Sequence, residues 1–189
     1  YMDLLQAAAI SYNNLLHKKF HIKAGAKGNL IEFDFIFKPI NFFHLAGLHY
    51  LDDMKLLGMH TSHQSKELAF KKSLRGELNL EYLGKSAHFA KINERVEWLH
   101  RIDAVVSHLS KMYSPKTIVE FDNKNFSFIK PGYTFVEDYP VQRKVVMLFF
   151  TEDSTGMYLP ESFLVSTNQN KILQQKKYRV LDFSCEFSR

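Results

Sequence analysis

The hydrophobic periodicity of the chain changes once, near residue 115, and that change limits the folds open to it. Ahead of it, apolar residues recur at three and four, as on the buried face of a helix. Beyond it they alternate between turn signals, as on half-buried strands. The longest helical run is 86–113, where Phe89, Ile92, Val96, Leu99, Ile102, Val106, Leu109 and Tyr113 form a stripe widened by Trp98, Val105 and Met112. Ser86 is a good cap type for it and Pro115 stops it. Residues 3–19 predict a second amphipathic helix, capped by Asp3, with Leu4, Leu5, Ala8, Tyr12, Leu15 and Leu16 on one face. Residues 64–76 predict a short basic helix beginning at Ser62 or Ser65, and 77–83 is ambiguous. Strands are expected at 117–121, 126–129, 133–137, 145–151, 157–165 and 178–187, with a polar helical turn at 168–175. Their short connections favour an antiparallel meander. One strand-like run comes early, at 30–37, with Ile31, Phe33, Phe35 and Phe37 facing one way and Glu32 and Asp34 the other. The expected class is α+β: N-terminal helices and one hairpin-like strand packed on a C-terminal antiparallel sheet, as a single domain over 1–189.

Composition narrows the function classes. A hydrophobic fraction of 46% with 17 Phe supports a folded core. No apolar run approaches the roughly 18–20 residues of a membrane helix, and no secretory pattern is present, so a cytoplasmic setting is expected. The chain begins Tyr1-Met2, so a native start upstream is expected. The single cysteine, Cys185, excludes an internal disulfide and an all-Cys zinc site. It falls within an alternating run and reads as core or incidental. A net charge of +5 permits an anionic partner. There is no phosphate-binding Gly-rich loop, no Gly-x-Ser-x-Gly elbow and no Asp-rich two-metal cluster. His17 and His21, four apart, would share a helix face. They and His49, His60 and His63 read as surface or capping histidines, because no metal-ligand spacing accompanies them.

The stretch with the most local information is Phe37-Lys38-Pro39-Ile40-Asn41-Phe42-Phe43-His44-Leu45-Ala46-Gly47-Leu48. Pro39 ends the preceding strand, Asn41 is a good N-cap type, and a helix is expected from His44 to about Leu57. Asn41 and His44 would then sit near a helix N-terminus that favours an anion. Two readings follow: a capped helix whose His44 hydrogen-bonds within the core, or an imidazole placed for phosphate chemistry.

The pattern Phe-x3-Asn-Phe-x-His-Leu-x-Gly-Leu in this stretch resembles the signature of a phage-associated nuclease-like family within the barnase, EndoU, colicin and RelE-like superfamily. Tyr158-Leu159-Pro160-Glu161-Ser162-Phe163 is similar to that family's closing strand, and the order of helices before strands fits over residues 1–165. The resemblance implies a metal-independent ribonuclease, often a toxin or phage effector, acting in a bacterial host cell. No cofactor and no obligate metal are expected, and no membrane. The partners expected are RNA and, for a toxin, an immunity protein.

A ribonuclease that uses the RNA 2′-OH as nucleophile needs a base, an acid and cations for the charge-rich transition state. On this reading His44 is the general base or acid, and Asn41 positions it or the phosphate. Ser162, through its match to the second motif, gives a hydrogen bond to phosphate, and Tyr158 stacks on a base or donates its hydroxyl. Arg95, Lys91 and Arg143 are the candidate cations, selected only by charge and expected proximity; the competing reading for each is a solvated surface charge. No second histidine is placed by a motif. The competing functions are a non-catalytic nucleic-acid-binding or phage accessory domain on the same scaffold, and a protein-interaction domain whose charge is incidental.

Overall fold

The structure, a computed structural model, describes residues 2–54, 62–108, 117–120, 132–167 and 176–187. The α+β class holds, and the chain divides into two compact units: residues 1–16 with 38–103, and residues 17–37 with 104–189.

The first unit is helical. Helix α1, Leu4–Asn13, is capped by Asp3, whose Oδ1 accepts from the Leu5 amide. The other Asp3 oxygen accepts from the amide of Leu80, which opens the short helix α4, Leu80–Leu83. Between these lie α2, Asn41–Leu45, and α3, His63–Leu74, the latter capped by Ser62 as expected. Rings from three helices meet at Tyr12, Phe42 and Phe70, with centroids 5.2–5.7 Å apart. The Tyr12 hydroxyl also donates to the Lys38 carbonyl at 2.8 Å, which anchors the turn leading into α2.

The long helix expected over 86–113 is broken. A 3-10 turn at Phe89–Lys91 precedes α5, Asn93–Leu99, and α6, Ile102–His108, follows after a break at His100–Arg101. Ser86 does not start a helix; its hydroxyl donates to Asp53 and accepts from the His88 amide, holding a turn. Residues 109–113 and Pro115, with the expected strand at 126–129, the helical turn at 168–175, and His60, lie outside the described residues.

The second unit carries the sheet. The helix expected over 3–19 ends at Asn13, and strand β1, Lys18–Ala26, takes over. Phe20, Ile22 and Ala24 alternate along β1 and are buried. His17, at φ 58°, sits at the change of direction, so His17 and His21 share no helix face. A two-residue turn at Lys27-Gly28, both with positive φ, joins β1 to β2, Asn29–Ile36. That left-handed pair matches the twist of a tight hairpin. Strands β3 (Thr117–Glu120), β4 (Tyr133–Tyr139), β5 (Lys144–Glu152) and β6 (Tyr158–Ser166) form the expected antiparallel meander. Strand β7, Lys177–Phe187, pairs with both β3 and β1. The order β1-β2-β6-β5-β4-β3-β7 closes on itself, and its one parallel contact is Phe35 of β2 opposite Tyr158 of β6. The sheet is therefore mixed and curled, where a purely antiparallel one was expected.

Closure is filled by phenylalanine. Phe35 is fully buried, with ring centroids of Phe20, Phe150 and Phe135 at 4.9, 4.8 and 5.2 Å. Strand β5 is buried on both faces: Leu148 and Phe150 on one, Val145, Met147 and Phe149 on the other, against Val136 and Leu164. Cys185, read as core or incidental, is exposed and so is no core residue, because the outer half of β7 has little burial on either face.

On the polar face of the β1–β2 hairpin, His21 Nδ1 lies 2.7 Å from Asp34 and Nε2 2.9 Å from Glu32. Carboxylates only accept, so both ring nitrogens donate and the ring is an imidazolium. The hydrogen bond to Asp34 raises the His21 pKa most, with the nearby carboxylate charges adding to it. Burial pushes the Asp34 carboxyl up, but bonds from Lys19 and His21 outweigh that and hold it below its ordinary value. A raised histidine stabilises the fold fully below its unfolded pKa, and that contribution is lost as pH rises through the higher folded value. The thermal midpoint of His21→Gln should thus fall furthest below wild type at pH 5–6. The gap should narrow as pH rises beyond the ordinary imidazole range, as followed by circular dichroism.

Candidate active site

The motif stretch folds differently from its sequence reading. Helix α2 is five residues long, Ile40 and not Asn41 is its N-cap, and no side chain caps it. Asn41 instead accepts from the Lys38 amide at 3.3 Å, a turn-holding bond. An anion site at this helix terminus is thereby replaced by something else: a cluster of side chains around His44.

Gly47 makes that cluster possible. Its φ is 75°, a left-handed conformation that favours glycine. An added Cβ would lie 2.9 Å from Ile92 Cγ2 and 3.1 Å from Arg95 Cδ. The chain turns there over the Arg95 stem and enters a 3-10 turn, Leu48–Tyr50, ending the helix expected to reach Leu57. Arg95 lies beneath, 8% exposed, donating to the His44 carbonyl at 3.3 Å with its guanidinium 5.1 Å from the Tyr50 ring centre. The solvated-surface reading of this cation fails.

Lys66 of α3 brings its ammonium to 3.0 Å from His44 Nε2. An ammonium can only donate, so Nε2 accepts and His44 is the neutral Nδ1–H tautomer. Burial and then the Lys66 charge lower the His44 pKa. The His49 ring centre lies 5.0 Å from that of His44, and its Nδ1 is buried without a hydrogen-bond partner. Burial first, then His44, Arg95 and Lys66, lower the His49 pKa to about 4. Both imidazoles are therefore neutral at pH 7. Burial also lowers the Arg95 pKa. Among the described residues, none of the interactions made by His44, His49, Lys66 and Arg95 is with a carboxylate. Buried charges are ordinarily paired, so this group lacks an anion that a phosphate would supply.

A scan against family models matches residues 4–182 to phage-Barnase-EndoU-ColicinE5/D-RelE like nuclease4. The chain belongs to this nuclease family. No curated protein and no solved structure matches it significantly.

Within the domain of this nuclease family, the sequence-predicted residues fall in different places. His44 and Arg95 meet in the first unit, as described. Lys91, also in that unit, is exposed on the 3-10 turn before α5. Ser162, Tyr158 and Arg143 belong to the second unit. Arg143 is exposed in the β4–β5 turn, at φ 52°. Ser162 pairs with Phe149 and so shares its face, turned from the Phe35–Phe135–Phe150 filling. Tyr158 packs its ring 4.6 Å from Phe33 and 5.4 Å from Tyr133.

Sequence reasoning missed Lys66 and gave His49 no role. Lys66 is 22 residues from its partner, and nothing local marks one lysine of a basic helix. For Arg95 a signal did exist in Gly47, since an obligatory glycine beside the motif histidine indicates a close neighbour. The Asp52–Asp53–His88 group could in principle hold a metal ion. Asp53, however, is occupied by the Ser86 hydroxyl and the Ala87 amide, which explains it as a turn-holding residue. Among the described residues, no helix is long and apolar enough to cross a membrane.

Proposed function

We propose that this member of the nuclease family is a metal-independent endoribonuclease, with His44 as general base and Lys66 and Arg95 as the cations that receive the scissile phosphate. The observation that carries this is a neutral imidazole in direct contact with an ammonium, over a buried guanidinium, with no carboxylate partner among the described residues. Such a donor set attracts a phosphodiester and repels a divalent cation.

The chemistry would run without a protein nucleophile. As the phosphate draws the Lys66 ammonium, His44 Nε2 takes the proton of the ribose 2′-OH. The 2′-oxygen bonds to phosphorus, the P–O5′ bond breaks, and the 5′-oxygen leaves with a proton from Lys66. The products are a 2′,3′-cyclic phosphate and a 5′-hydroxyl. Arg95 neutralises the non-bridging oxygens. His49, with a pKa near 4, carries no proton to give at neutral pH; its part is to keep the surroundings of His44 apolar and uncharged. Asn41 as a positioning residue and Lys91 as a longer-range cation, both in the first unit, belong to the same proposal, supported by sequence alone. Ser162 as a phosphate donor and Arg143 as a cation are proposed of the second unit by itself, on the sequence alone.

The test uses the purified chain in EDTA with two oligonucleotides of one sequence, one of RNA and one with 2′-deoxy linkages. Cleavage of the RNA alone, leaving cyclic phosphate ends, is expected. Equal cleavage of both would overturn the 2′-OH mechanism. Binding without cleavage, weakened steeply by salt, would assign the scaffold to nucleic-acid binding instead.

A further inference from the structure

A cavity lies wholly within the second unit, beside the turn joining β5 to β6, with a volume of about 440 Å³. One wall is aromatic. Phe33 and Tyr133 stack with centroids 4.7 Å apart and planes 6° apart, and Tyr158 leans on both. The lining also includes Glu32, Glu152 and the His21–Asp34 pair. Asp34 is already engaged by Lys19 and His21, and Glu32 shares His21 through one oxygen. Glu152 is exposed and makes no ion pair among the described residues. Three carboxylates against the His21 imidazolium and the Lys19 ammonium bound to Asp34 leave one negative charge in excess, in a chain whose net charge is +5.

We propose that this cavity receives an arginine guanidinium displayed by a partner protein. Each element selects for that group. Carboxylates accept only, so the ligand must offer N–H donors. The negative balance favours a cation and opposes a phosphate-bearing nucleotide, whose base would otherwise suit the ring wall. A flat, delocalised cation can lie on an aromatic face and still offer paired N–H groups to a carboxylate, which an ammonium cannot. The rim is built in advance. Asp153 Oδ1 accepts from the Thr155 amide, the Thr155 hydroxyl and the Met157 amide, and Gly156 closes the turn at φ 82°. A preformed rim lowers the ordering cost of binding.

The proposal is independent of the chemistry at His44, and its test involves no cleavage. The full chain, ¹⁵N-labelled, is titrated with N-acetyl-arginine-N-methylamide, its lysine and citrulline counterparts, and guanosine 5′-monophosphate. Saturable amide shifts around Phe33, Tyr133 and residues 152–158 are expected with the arginine ligand. It should bind about tenfold more tightly than citrulline, which keeps the shape and loses the charge. Glu152→Gln, at an exposed position that leaves the fold intact, should weaken the arginine ligand about fivefold. Citrulline binding as well as arginine, tighter binding of the nucleotide, or no saturable shift at these amides would each overturn the proposal.

Discussion

Replacing His44 with alanine is expected to lower kcat/KM for RNA cleavage by about 10²–10⁴-fold, the range of a general base in proton transfer. The protein should still fold, because the ring is only partly buried and its Nε2 partner is the mobile end of Lys66. The pH profile separates catalysis from mere support. A base must be unprotonated to act, and burial together with Lys66 pushes the His44 pKa down. Wild-type kcat/KM should therefore rise with pH along an acid limb below the ordinary imidazole value and stay level through neutrality. Lys66→Gln removes the second of the two lowering causes, so the limb should move up in pH while the rate falls. A structural histidine would shift no limb. Cleavage persisting in His44→Ala with an unchanged profile would remove His44 from the mechanism.

The second large effect is on stability. Phe35→Ala should cost about 3–5 kcal/mol, the range for deleting a buried aromatic ring. Phe35 is fully buried, faces three further rings within 5.2 Å, and sits at the single parallel bridge that closes the sheet. Its loss leaves a cavity at the weakest seam of the curl. At a urea dependence of about 1–3 kcal/mol per molar, the midpoint for the sheet should drop by more than 1 M. Phe187→Ala is the internal control: that ring is 78% exposed, and its replacement should change stability by no more than about 0.5 kcal/mol. Equal losses for the two variants would show that the closure is not held by its aromatic filling.

The two sites differ in how far the sequence could disclose them. The motif singled out His44, and charge with expected proximity suggested Arg95; the structure brings the two together in the first unit. The same reading made Asn41 the cap of a helix reaching about Leu57; Asn41 is instead the first residue of a five-residue helix capped by Ile40, which ends before Gly47 turns the chain over Arg95. The acidic pair Glu32 and Asp34 was visible as the polar side of a strand, but its histidine partner lay just past the end of the expected helix, where no strand was read. Lys19 and His21 follow a helix too closely for periodicity to separate helix from strand, and β1 is a strand because β2 and β7 pair with it on both sides.

By itself the sequence determined the α+β class, the antiparallel order of β3 to β6, the Ser62 cap, and the glycine and proline punctuation around residues 37–48. These are short-range properties: alternation, capping and turn chemistry act between residues a few positions apart. Only the tertiary structure decided that a guanidinium would be buried under one histidine and an ammonium laid against it, that the long helix would break at His100, and that the sheet would close around Phe35. Each depends on groups far apart in the chain, and their energies of burial and charge exist only once folding has brought them within a few ångströms.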